Sequence, residues 1–134
     1  MNKIAPVFIV EDVAATVRFY VEKLGFEIDF VGEPPRFSML RRGEVTIMFR
    51  QLETAGSMRP NRIPQVAAGW QADAAFAWDA YIWVDDAEAV YQEFKENGVS
   101  IIREPQKTDY GNLDFDIEDA NGFILCFGQV MGES

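Results

Sequence analysis

Residues 78–94, WDAYIWVDDAEAVYQEF, contain an apolar strand-like run that passes directly into a helical pattern. Residues 6–20, PVFIVEDVAATVRFY, repeat this order near the N-terminus. In each copy two acidic residues follow the apolar run, and the second of them, Asp12 or Asp86, is placed to cap a helix. An apolar stripe at helical spacing comes next: Val17, Tyr20, Val21 and Leu24 in the first copy, and Ala87, Val90, Tyr91 and Phe94 in the second. The repetition predicts a duplicated module.

The residues after each helix complete the module. Gly25 and Gly98 are suited to end the two helices. Three strand-like runs follow each glycine: FEIDFVG, RFSMLRR and VTIMFR in the first copy, then VSIIRE, LDFDIED and FILCFGQ in the second. We therefore expect an α+β fold with a single domain, residues 1–134, made of two βαβββ modules at about 4–50 and 79–130. A long segment, 51–77, joins them, and segments of that length are often functional.

Composition excludes several classes of function. The chain has 134 residues, 22 acidic against 12 basic, and a net charge of −10. That charge repels nucleic acid and anionic membranes and attracts cations. The chain has no histidine, which excludes an imidazole acid, base or metal ligand. The single cysteine, Cys126, excludes an internal disulfide, and with no leader-like or membrane-length run it favours a cytoplasmic protein.

Four short motifs carry a resemblance to a known superfamily. They are Asp12 with Phe19-Tyr20, Leu24-Gly25-Phe26, Val84-Asp85-Asp86, and Tyr110-Gly111 with Asp119-Ala120-Asn121-Gly122. These motifs resemble those of the vicinal oxygen chelate superfamily, which contains glyoxalase I, extradiol dioxygenases, fosfomycin resistance proteins and bleomycin resistance proteins. The resemblance implies a U-shaped, mostly antiparallel sheet with the ligand on its concave side, helices on its convex side, and a homodimer.

In the enzymes of this superfamily, four strands supply metal ligands. The resemblance puts Ala5, Met48, Asp79 and Cys126 at those positions. Alanine has no donor atom, and methionine is a soft ligand that hard divalent ions avoid. We therefore expect neither a metal nor another cofactor. Asp79 also fits a plain role at the start of a strand, and Cys126 fits a buried small hydrophobic residue.

Strand alternation predicts which side chains face the ligand and which face the helices. On the strand LDFDIED, Asp114 and Asp116 point away from the helices if Phe115 and Ile117 pack beneath them. Two carboxylates on one face need a cation or solvent between them, and a solvated sheet edge is the alternative. The candidate ligand-binding residues are Met48, Arg50, Trp70, Asp79, Tyr81, Trp83, Asp114, Asp116 and Cys126.

Three functions remain open at this point. The first is a metal-free binding protein of the bleomycin resistance type. The resemblance implies that such a dimer sequesters a cationic aromatic drug in acidic clefts between subunits, with aromatic side chains stacked on its rings. The second is a divergent lyase- or isomerase-like enzyme in which Asp79 acts as a base and Arg50 polarises a carbonyl. The third is a non-catalytic binding module for another metabolite.

Overall fold

An aspartate begins each of the two helices within the described part of the chain. The computed structural model describes residues 1–53 and 77–132; in it α1 spans Val13–Leu24 and α2 spans Ala87–Glu96. Asp12 Oδ1 accepts a hydrogen bond of 3.0 Å from the amide of Ala15, and Asp86 makes the equivalent bond in α2. Both predicted caps are confirmed. Within the described ranges no helix is long and apolar enough to cross a membrane.

Both helices are followed by a glycine in the left-handed conformation, Gly25 with φ 73° and Gly98 with φ 76°. After α1 the amide of Phe26 donates to the carbonyl of Tyr20, six residues back, at 3.0 Å. After α2 the amide of Val99 makes the equivalent bond to a carbonyl only five residues back. The two copies therefore differ by one residue at this point: Gly25 follows Tyr20 by five residues, whereas Gly98 follows Phe94 by four.

Each module forms one four-stranded mixed sheet. In residues 1–53 the strands are β1 Val7–Val10, β2 Glu27–Val31, β3 Phe37–Arg42 and β4 Val45–Gln51, in the order β1-β4-β3-β2. In residues 77–132 they are β5 Ala80–Trp83, β6 Ser100–Lys107, β7 Asn112–Glu118 and β8 Ile124–Val130, in the order β5-β8-β7-β6. The first and last strands of each module pair in parallel, and the other pairs are antiparallel.

The α+β fold and both βαβββ modules are thus confirmed. The chain divides into two compact units, with residues 1–53 in the first and 77–132 in the second. The expected U-shaped arrangement of the two modules stays a prediction.

The core of the first unit lies between α1 and its sheet. The ring of Tyr20 lies 4.8 Å from that of Phe49 on β4 and 5.4 Å from that of Phe26. Thr16 is buried on the same side of α1, and its hydroxyl donates to the carbonyl of Asp12. Val21, which the apolar stripe included, is exposed instead. It lies one residue, about 100° of rotation, beyond Tyr20 and so leaves the buried side.

The core of the second unit is a cluster of phenylalanine rings beneath α2. Phe94 and Phe115 each lie 5.2 Å from Phe127 between ring centroids, and the latter pair is stacked. Ile117 is fully buried beside them. The alternation predicted for β7 is therefore confirmed for Phe115, whose ring packs against Phe94 of α2, and Ile117 is buried as expected. Leu113, which the same prediction placed under the helices, is only half-buried.

A glutamine at the end of each module's last strand holds the start of that module's helix. Gln51 Oε1 accepts a hydrogen bond from the amide of Val13 at 3.1 Å. Gln129 Oε1 accepts one from the amide of Ala87 at 2.9 Å. Each glutamine satisfies a helix N-terminal amide that has no partner inside its helix. The duplication therefore extends to this side-chain contact, which the sequence comparison did not include.

Candidate functional site

A glycine leaves space on one face of the second unit's sheet, the face that lies opposite α2. Gly128 is on β8, between β5 and β7. The hydroxyl of Tyr81 on β5 crosses over this glycine and donates to Asp114 Oδ1 on β7 at 2.6 Å. A Cβ atom at position 128 would overlap the Tyr81 hydroxyl and lie 2.5 Å from Asp114 Oδ1. Only glycine leaves room for this cross-strand bond.

Asp114 is a fully buried carboxylate that accepts hydrogen bonds from two phenols. The hydroxyl of Tyr110 donates to Asp114 Oδ2, and Asn112 Nδ2 donates to the Tyr81 hydroxyl at 2.8 Å. Burial, and next the hydrogen bond to Asp114, raise the pKa of Tyr81, and the same causes raise the pKa of Tyr110 to about 12. Both hydroxyls therefore remain protonated donors near neutral pH.

Asp116, two residues further along β7, is also fully buried and is paired with Arg103 of β6. The guanidinium makes two bonds of 3.0 Å, from Nε to Oδ2 and from Nη2 to Oδ1. Burial would lower the pKa of Arg103, but the hydrogen bonds to Asp116 and its charge leave that pKa raised. For Asp116, the cation expected near the two aspartates is thus the side chain of Arg103. The alternative of a solvated edge is wrong, because neither carboxylate is exposed.

A β-bulge explains why the sequence did not reveal Arg103. Ile101 pairs with Ile117, but Arg103 pairs with Asp116, so β6 holds one extra residue, Ile102. Simple alternation would place Ile101 and Arg103 on the same, helix-facing side. The bulge turns Arg103 to the face of the aspartates. One sequence signal pointed to Arg103: two carboxylates predicted on the same face of a strand need a cation or solvent between them.

Asn112 was missed although alternation along β7 places it on the same face as Asp114, whereas Tyr110 was missed because of local geometry. Tyr110 precedes β7 in a turn, and Gly111 follows it with φ 86°. Tyr110-Gly111 appeared among the family-like motifs, but alternation assigns no direction to a residue in a turn. The contact of Tyr110 with Asp114 depends on that turn.

Three aromatic rings, here called the aromatic row, lie in succession on this unit. They are Trp78, Tyr81 and Trp83, with centroid distances of 5.2 Å from Trp78 to Tyr81 and 4.9 Å from Tyr81 to Trp83. Trp83 is 67% exposed, although it packs against Tyr81. An exposed indole supported by a second ring can contact a flat or cationic group. The structure therefore brings the predicted residues Tyr81, Trp83 and Asp114 together.

Cys126 lies opposite Asp116 on the neighbouring strand β8. The thiol is fully buried, and Arg103 Nη2 is 3.9 Å from its sulfur. Burial, and then the charge of Asp116, raise the pKa of Cys126. The thiolate needed for a nucleophile or a metal ligand is therefore disfavoured.

Asp79 stands at the start of β5 and pairs with Ile124 at the start of β8. Its Oδ2 accepts a 2.8 Å hydrogen bond from the Ile124 amide, and its own amide donates to the Ile124 carbonyl at 2.8 Å. These bonds favour the strand-start role. With alanine at position 5 and this carboxylate engaged, the four superfamily positions do not fit a metal ion. Among residues 1–53 and 77–132, no three Cys, Asp or Glu side chains group in a way that could hold one.

The first unit contains the other two predicted contact residues, Met48 and Arg50, on β4. An open pocket of about 690 Å³ lies beside Arg50. Its lining consists of Val7, Ile9, Arg36, Phe37, Arg50, Gln51, Leu52 and Glu53. Arg36 pairs with Glu53 at 3.7 Å, whereas the structure gives Arg50 no ion pair within the two described ranges. Trp70, the remaining predicted contact, lies outside the described residues.

Comparisons with known proteins agree with this architecture. The chain is 26% identical to a bleomycin-binding protein from bleomycin-producing Streptomyces verticillus, solved with copper(II)-bleomycin, with a TM-score of 0.65 over 99% of this chain and 98% of that one. A bleomycin resistance determinant encoded on the transposon Tn5 is 21% identical, with a TM-score of 0.70 over 96% and 98% of the two chains. TioX from Micromonospora sp. ML1 is 15% identical, with a TM-score of 0.73 over 97% and 99%.

The last two similarities, at their low identity, show the fold alone. No curated protein sequence matches the chain. The family model described as Glyoxalase/Bleomycin resistance protein/Dioxygenase superfamily matches residues 2–127, which is nearly the whole chain. The protein therefore belongs to the glyoxalase, bleomycin resistance and dioxygenase superfamily.

Proposed function

We propose that this protein binds a small molecule carrying a flat, cationic aromatic group, and that it sequesters the molecule without converting it. The aromatic row is the observation that carries this proposal. Trp83 is two-thirds exposed, yet its ring is held against Tyr81 and continues to Trp78. A single exposed apolar residue is ordinary, but an ordered series of rings that ends in solvent is suited to stacking.

The similarity to the bleomycin-binding protein supports bleomycin as the first ligand to test. That protein matches over nearly the full length of both chains and was solved with copper(II)-bleomycin. The net charge of −10 also favours a cationic ligand, because it raises the local concentration of cations and speeds their association. We further propose a metal-free homodimer in the cytoplasm, which rests on the resemblance and the composition.

Sequestration is favoured over catalysis by the state of the polar groups beside the row. Asp114 and Asp116 are buried and already bonded to neighbouring side chains. The Cys126 thiol has a raised pKa, and Asp79 caps the start of β8. Asp79, the base in the enzyme alternative, already accepts a hydrogen bond from the Ile124 amide.

Tryptophan fluorescence during titration with bleomycin tests the proposal. The drug should be used both free of metal and loaded with copper, at low and at moderate salt. We expect saturable quenching near one drug molecule per chain, with weaker binding at the higher salt concentration because the attraction is electrostatic. A flat trace at high drug concentration would reject bleomycin, and a salt-independent curve would reject recognition of the cation.

A further inference from the structure

We propose that Asp114 is the positioning residue of the aromatic row, and that its buried charge biases the row towards cationic aromatic groups. The inference rests on the proposed function, since it names the residue that shapes the binding surface. Asp114 does not contact the ligand in this account. It acts through Tyr81, the middle ring of the row.

Tyr81 is the ring on which the row depends. Its centroid lies about equally far from Trp78 and Trp83, so a shift of Tyr81 changes both ring contacts. The ring is fixed at its hydroxyl end, where it donates to Asp114 at 2.6 Å and accepts from Asn112 at 2.8 Å. Because Gly128 has no side chain, nothing obstructs this end of the ring. Two hydrogen bonds and two ring contacts therefore determine where the row lies.

The carboxylate is suited to this position because it offers an acceptor oxygen to each of two phenols. Oδ1 accepts from Tyr81 and Oδ2 accepts from Tyr110, whereas an asparagine would present one acceptor and one donor. Burying a carboxylate costs free energy unless its oxygens are hydrogen-bonded. If only packing mattered, an apolar residue at this position would avoid that cost. The bonding geometry indicates that Asp114 serves the orientation of Tyr81.

The charge of Asp114 adds a preference for cations. Asp116 is balanced by Arg103 at 3.0 Å, but Asp114 is bonded only to neutral phenols among the residues that the structure describes. The charges of Asp114, Asp116 and Arg103 sum to one negative charge, and Asp114 places it at the hydroxyl edge of the Tyr81 ring. It strengthens attraction of a cation to the face of the row, beyond what the rings supply. A neutral ligand of the same shape would gain nothing from it.

Two matched variants separate positioning from general stability. Tyr81→Phe and Tyr110→Phe each remove one phenolic donor from the same carboxylate, but only Tyr81 belongs to the row. We expect Tyr81→Phe to weaken the binding of copper(II)-bleomycin about tenfold, the effect of one lost hydrogen bond and a displaced ring. Tyr110→Phe should change it by less than about twofold. Equal effects of the two variants would overturn the positioning role.

The ligand-free protein provides a readout that does not depend on the drug. With 5-fluorotryptophan in the three tryptophan positions, the fluorine resonance of Trp83 is assigned by its loss in Trp83→Phe. This resonance should shift in Tyr81→Phe and stay unchanged in Tyr110→Phe. If the wild-type protein binds no drug, the proposed function fails, while the resonance still decides whether Tyr81 is held by Asp114. An unshifted resonance in Tyr81→Phe would contradict the inference.

The charge is tested with Asp114→Asn against Asp119→Asn. Asp119 is another buried carboxylate of the second unit, and it accepts the amides of Asn121 and Phe123 at 2.8 Å and 2.9 Å in the turn after β7. Both variants lose one negative charge. Only Asp114→Asn should reduce the salt dependence of drug binding, because only Asp114 is bonded to a ring of the row. The same salt dependence in both variants would show that the net charge of the whole chain, and not Asp114, selects the cation.

Discussion

At the residue scale, Gly128 is where a single atom decides whether the site can form. A Cβ there would occupy the space in which the Tyr81 hydroxyl meets Asp114. Gly128→Ala should therefore break this bond, leave a buried carboxylate oxygen without its donor, and lower the free energy of unfolding by about 2–4 kcal/mol. Denaturant unfolding measures the loss.

The control for Gly128→Ala is Gly43→Ala in the turn between β3 and β4. Gly43 has φ 59°, but an added Cβ would meet nothing within 4 Å. Its substitution should cost only backbone strain, about 1–2 kcal/mol. A Gly128→Ala protein no less stable than Gly43→Ala, with unchanged tryptophan fluorescence, would mean that Tyr81 and Asp114 do not meet over the glycine.

Tyr110 provides a pH test of the same network. More than half of Tyr110 is exposed, but partial burial of its hydroxyl and the bond to Asp114 raise its pKa from 10.0 to about 12, so the folded state favours the neutral phenol. The stability it contributes should be complete below pH 10, the unfolded value, and should be lost as pH rises towards 12. Ultraviolet titration of phenolate formation in wild type and Tyr110→Phe gives the difference due to this residue. Ionisation of Tyr110 near pH 10 would contradict the network.

Individual residues were only partly predictable from sequence. Alternation along β7 was enough to place Asp114 and Asp116 on the face opposite the phenylalanines, because that pattern is local. It did not supply their partners. Tyr110 reaches Asp114 through a turn, and Tyr81 reaches it across β8, so both bonds depend on strand order and on the small volume of Gly128.

At the scale of elements, the bulge in β6 lets this edge strand contribute a residue to the site, because it turns Arg103 towards Asp116. Arg103→Met should leave the fully buried Asp116 without its cation and cost about 3–5 kcal/mol of unfolding free energy. Denaturant unfolding of the purified variant checks this value.

Arg41→Met is the matched control for this ion pair. Arg41 contacts Glu27 at 3.2 Å and Asp29 at 3.3 Å, but these groups are substantially exposed. The same substitution there should cost less than about 1 kcal/mol. If Arg103→Met cost as little as Arg41→Met, Asp116 would not depend on Arg103 for its charge balance.

The helices and strands themselves were largely predictable. Aspartate caps, closing glycines and period-two alternation act within a few residues, so they appear directly in the sequence. The bulges in β2 and β6 were not predictable in this way, because each is defined by register against a neighbouring strand. The glutamines that hold the helix starts depend on a strand close in space but about forty residues away in sequence.

At the scale of the whole molecule, the sequence indicated the duplication, and the two sheets of equivalent strand order agree with it. The arrangement of the two modules and the proposed dimer do not follow from local patterns, since they depend on surfaces that many sequences could pair. The ligand is the least predictable property. Aromatic rings and negative charge recognise a class of molecule, the planar cation, and leave the individual compound to be measured.

The proposed binding of the ligand at the exposed end of the aromatic row can be measured by isothermal titration with copper(II)-bleomycin. Wild type should bind saturably, and Trp83→Ala should bind at least about tenfold more weakly, as expected for removal of a stacking indole. Val21→Ala, which truncates an exposed apolar residue of α1, should bind like wild type. Equal affinities for wild type and Trp83→Ala would contradict this proposal, as would the absence of binding by wild type.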